Sequence, residues 1–140
     1  MRAAIVCNKR LIHPAGGTEA LGNRIIEVPD DEEAVVYRDP IAGFVAYVPK
    51  GSIAKGEALV KTGGGGKTTP CTMCHGTTLK GLGDWPALAG RHPNYIVRQL
   101  WNMQNGDRGG AAMELMRPVV QKLDNDDMVA IAAHAASLQP

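Results

Sequence analysis

Cys71-Thr72-Met73-Cys74-His75 decides how the rest of the chain is read. Two thiols three positions apart, followed at once by an imidazole, form the C-x-x-C-H pattern of haem c attachment. At that spacing the sulfurs reach the two vinyl groups of one haem and form thioethers, which holds His75 beneath the iron as an axial ligand. A thioredoxin-like pair would want a strand before it and a helix after it, and has no need of the histidine. Structural zinc needs a second ligand pair, and Cys7 with His13 is not at finger spacing. Just upstream, Lys61-Thr-Gly-Gly-Gly-Gly-Lys67-Thr68 fails the phosphate-loop pattern because Lys61 stands where its first glycine belongs. That stretch reads as a linker into the attachment motif.

The composition agrees with a bulky cofactor. Of 140 residues only 4% are aromatic, while Gly (17) and Pro (9) are plentiful, so elements should be short and the core poor in rings. A net charge of +1 argues against nucleic acid. No run approaches the roughly 20 apolar residues of a membrane-spanning helix. The apolar run from Met1 to Cys7 is ended by Asn8, Lys9 and Arg10, too early for a secretory signal. Three cysteines cannot close a disulfide set, and Cys7 has neither a partner nor a neighbouring histidine.

The pattern divides the chain at about residue 50. Residues 1–50 form an extension of short strands and loops. Its strand candidates are Arg24 to Val28, Val35 to Tyr37 and Phe44 to Val48, with a hairpin expected across 35–48 around Asp39-Pro40. Residues 51–140 predict three short helices and two long loops. Ser52 is the expected cap of a helix over 53–62. A second helix runs from Pro93 to Asn105 and stops at Gly106. The last follows Asp124, with Asp127 three on and a stripe of Met128, Ile131, Ala132, Ala135 and Leu138. The loops are 76–91 and 106–118.

A six-coordinate iron needs a second axial ligand, and six methionines are available. Met1 lies in the extension, and Met73 sits inside the attachment loop on the wrong side. Met103 and Met128 fall on apolar helical faces and read as core. Met113 and Met116 remain. Met116 is favoured because Arg117-Pro118 follows and a proline stiffens the backbone there. His13 and His92 read as surface residues and His134 as packing against a neighbouring helix.

Residues 51–140 resemble the class I cytochromes c. The resemblance rests on Gly56, Cys71-x-x-Cys74-His75-Gly76, Pro86-x-Leu88-Ala89-Gly90, Tyr95 with Gln99-Leu100, Met116-x-Pro118 and the Asp-capped alanine-rich last helix. It implies a mainly α fold around one haem c, with the first and last helices crossing at Gly56. An aromatic usually stands at that crossing, where this chain has His134. It also implies that the Pro86 carbonyl accepts a hydrogen bond from His75, and that Met116 is the sixth ligand. Residues 24–60 resemble the interdomain segment and second half of bacterial two-haem cytochromes c. With one C-x-x-C-H rather than two, the chain is either a single-haem relative or part of a longer protein.

The resemblance implies a carrier of single electrons between redox proteins, a membrane-bound respiratory or photosynthetic complex among the candidates, and no enzyme activity. Haem c attachment implies export to the periplasm. The alternatives are a haem enzyme, in which Met116 leaves the iron, and a haem subunit of a larger redox complex. Leu88, Ile96, Leu100 and Trp101 are the expected pocket wall, and Arg91, Arg98 and Trp101 the propionate candidates.

Overall fold

The structure, a computed structural model, describes residues 2–5, 10–12 and 15–140. The expectations for Met1, Cys7 and His13 lie outside the described residues. In the amino-terminal part, β1 (Arg2–Ile5) pairs in parallel with β5 (Phe44–Val48), and β4 (Ile26–Pro29) pairs antiparallel on its other side. The register sets Ile26 opposite Tyr47 and Pro29 opposite Phe44. A separate ribbon joins β2 (Arg10–Ile12) to β3 (Thr18–Ala20).

The expected hairpin is displaced. Val35 and Val36 belong to a short helix, α1 (Glu32–Val36), so the antiparallel partner of β5 is β4. The cause is Asp31, whose carboxylate accepts from the N–H groups of Glu33 (2.9 Å) and Ala34 (3.2 Å). Glu32 and Glu33 add negative charge at the positive end of the turn. The β-branched pair loses to the cap. Asp39 builds the turn as expected, its carboxylate accepting from the Ile41 N–H at 2.9 Å.

Five helices follow: α2 (Ser52–Thr62), α3 (Thr72–His75), α4 (Pro93–Asn105), α5 (Ala111–Val120) and α6 (Asn125–Ser137). Ser52 does not cap α2. The cap is Gly51 at φ 83°, and the Ser52 hydroxyl donates to the Pro49 carbonyl at 2.7 Å, closing the turn out of β5. The segment 106–118, expected as loop, contains most of α5. Its Ala-Ala-Met-Glu-Leu-Met start is a run of strong helix formers, and Pro118 sits inside the helix without ending it. α4 ends on Gly106 at φ 81° as expected, and α6 opens on the reciprocal capping box of Asp124 and Asp127.

The last helix is buried all round rather than along one stripe. Every residue from Asp127 to Ala136 is buried, because α2 and α4 cover two sides while β1 and β5 of the extension reach the helix as well. The small alanines at 130, 132, 133, 135 and 136 let those neighbours approach closely. At Gly56 the crossing with α2 is so close that a Cβ would collide with the Ala130 carbonyl oxygen and come within 2.9 Å of the His134 Cβ. Asp127, 1% exposed, is held by Lys67 and by Lys55 at 2.9 Å. These contacts tie α2 and the glycine linker to the start of α6.

Candidate functional site

A cavity of about 510 Å³ opens between α3, α4, α5 and the 79–91 loop. Cofactor sites span roughly 300–1,000 Å³. Cys71, Cys74 and His75 line one side. The fold aims His75 from the carboxyl end of α3, which closes when the His75 N–H bonds the Cys71 carbonyl at 2.9 Å. Gly76, at φ 81°, then turns the chain away.

The imidazole is fixed by its back edge. Its Nδ1–H donates to the Pro86 carbonyl at 2.8 Å, which leaves the Nε2 lone pair as the free ligand atom. The Trp85 ring meets it edge-on at 6.2 Å. His75 is buried. As a free thiol Cys71 is partly buried, and desolvation pushes its pKa up to about 11, so it is neutral at pH 7.

Both sulfur candidates reach the cavity. Met113 and Met116 stand three apart on α5 and share its inner face. Met103 lines the cavity from α4 while also packing on the core. Met128 is fully buried in the core, as expected, and Met73 is exposed. The carboxyl end of α5 is pinned twice. The Gln104 amide donates to the Val120 and Leu123 carbonyls (2.8 and 2.7 Å), and the Thr68 hydroxyl to Val119 (2.6 Å).

Of the expected wall residues, Leu88, Ile96 and Leu100 line the cavity. Trp101 does not. It lies one position beyond Leu100, a hundred degrees round α4, and is 45% exposed. Arg98 is also absent from the lining, which includes Arg91 and Arg108 together with Tyr95 and Gln99. Arg108 went unnoticed in the sequence because it follows Gly106 in a segment read as featureless loop. Its guanidinium bonds the Gln99 side chain, which brings it back over α4.

The donor set therefore suits one haem: two thiols, one oriented imidazole, thioether sulfurs, and two guanidinium groups lining a mostly apolar cavity. No protein-family model matches the chain. It is 35% identical over 88 residues to cytochrome c-554(548) of Halomonas halodenitrificans, covering 96% of that protein and 62% of this chain. The chain belongs to the class I cytochromes c. Haem c, covalently attached, is the cofactor of this cytochrome. It is also 30% identical over 137 residues to cytochrome c4 of Stutzerimonas stutzeri, covering 88% of this chain and 65% of that protein. The reduced recombinant cytochrome c4 of Pseudomonas stutzeri superposes with a TM-score of 0.58 at 32% identity, over 63% of this chain and 48% of that one. The chain thus spans about a third to two thirds of the length of the c4 proteins it matches.

Proposed function

We propose that this cytochrome passes single electrons between protein partners in the periplasm and transforms no substrate of its own. The haem domain is residues 51–140, and the extension 1–50 is an arm whose strands β1 and β5 lie against α6. When bound, haem c supplies the one-electron ferrous–ferric couple. Cys71 and Cys74 would hold it through thioethers, and the His75 Nε2 and the Met116 sulfur would ligate its iron. The observation that carries this reading is the His75–Pro86 hydrogen bond, which aims a lone pair into the cavity that both cysteines and Met116 line.

The remaining side chains have supporting roles. Leu88, Ile96 and Leu100 exclude water, keeping the surroundings of low dielectric. Arg91 and Arg108, which line the cavity, would neutralise propionates. Pro118 cannot donate to the Glu114 carbonyl, and the pins from Gln104 and Thr68 restrain the end of α5 instead. Together they keep the methionine sulfur close to one position in both oxidation states. No described helix is long and apolar enough to cross a membrane. With a net charge of +1, steering by a partner's field is weak, so docking relies on contact. The partners are a protein donor and acceptor, a membrane-bound respiratory or photosynthetic complex among the candidates.

Carbon monoxide separates this reading from a haem enzyme. A ferrous haem closed by Met116 binds the gas slowly at neutral pH. Rapid binding would mean an open iron and would overturn the carrier assignment.

A further inference from the structure

Helix α4 forms one wall of the haem cavity, yet it begins without a cap of its own. His92, at the capping position, makes no side-chain bond to the helix, and Pro93 has no N–H to offer. The missing acceptor comes from β4. Glu27 Oε1 accepts the Asn94 N–H at 2.9 Å, and Oε2 accepts the His92 Nδ1–H at 3.0 Å. The carboxylate is largely buried, at 17% side-chain exposure, and the Phe44 ring stands edge-on to His92 at 5.0 Å. One acidic residue, over sixty positions away in sequence, therefore neutralises the positive end of the helix dipole and bonds its first free donor.

We propose that Glu27 is a positioning residue for the haem site: it makes the arm the amino-terminal cap of α4 and so holds the cavity wall. This rests on the reading that the cavity holds the haem. The route is short. Ile96, Gln99, Leu100 and Met103 on α4 line the cavity, and α5, which carries Met113 and Met116, packs on α4. Loosening the start of α4 should therefore loosen the methionine side of the iron.

The test uses the holoprotein with three variants. Glu27→Ala removes both acceptors. Glu27→Gln keeps one acceptor oxygen for the Asn94 N–H. Asn23→Ala breaks a different tether of the arm, the Asn23 contact with Asp126 of α6, and leaves α4 alone. Two rates are read: amide hydrogen exchange at Asn94, and replacement of the sixth ligand of ferric haem by cyanide. In Glu27→Ala both should rise roughly tenfold, the scale of a lost cap. Glu27→Gln should recover most of that, and Asn23→Ala should match the wild type. If either rate in Glu27→Ala stays within about twofold of wild type, or if Asn23→Ala raises both equally, the proposal is overturned. A wild type without covalent haem would instead overturn the reading of the site, while exchange at Asn94 would still decide the role of Glu27.

Discussion

His75 and Pro86 are joined by a 2.8 Å hydrogen bond from the imidazole Nδ1–H to the backbone carbonyl. The acceptor is main chain, so its position depends on the turn that carries it rather than on a replaceable side chain. Gly81, at φ 90°, shapes that turn, and a Cβ there would come within 2.7 Å of the Trp85 carbonyl oxygen. Gly81→Ala should displace Pro86 and weaken the bond. A less basic imidazole favours ferric iron less, so the midpoint potential should rise. The left-handed backbone adds a stability loss of about 1–3 kcal/mol. Redox titration and chemical denaturation read the two effects.

Gln104 supplies both donors that its amide can offer to carbonyls at the end of α5. Gln104→Leu preserves bulk but removes both bonds: the Val120 carbonyl keeps the Leu123 N–H at 3.1 Å, while the part-buried Leu123 carbonyl loses its donor, costing about 1–3 kcal/mol. Because α5 carries Met116, cyanide should replace the sixth ligand faster than in wild type. An unchanged rate would show that the pin has no bearing on the iron.

His134 is buried, its Nδ1 has no hydrogen-bond partner among the described residues, and desolvation holds its pKa below the ordinary 6.5 despite the opposing pull of the Glu57 carboxylate. A base whose pKa is lower folded than unfolded is stabilising while neutral. Its contribution is present above about pH 6.5 and declines as the pH falls below it. His134→Phe should remove that acid-side decline and raise stability at pH 5 relative to pH 8. Denaturation midpoints at the two pH values provide the comparison.

The attachment motif was legible because its chemistry is written in five consecutive residues. The caps at Gly106 and Asp124 were legible for the same local reason. Val35 to Tyr37 misled because side-chain propensity competes with a cap supplied by Asp31, and the cap is the stronger local force. α5 was hidden by Gly106, Gly109, Gly110 and Pro118, which bracket the helix formers with residues that usually mark loops. Trp101 is apolar enough to suggest a wall residue, but its phase on α4 turns it outward. Glu27 and the burial of α6 by β1 and β5 depend on chain segments tens of residues apart, and no local pattern encodes such pairings.

The sixth ligand remains the point on which the carrier assignment rests, since Met113 and Met116 share one face of α5. The direct measurement is the optical spectrum of the ferric protein in two variants. Met116→Ala should abolish the sulfur-to-iron charge-transfer band and lower the midpoint potential, while Met113→Ala should leave both nearly intact. A band that survives Met116→Ala and disappears in Met113→Ala would contradict the assignment.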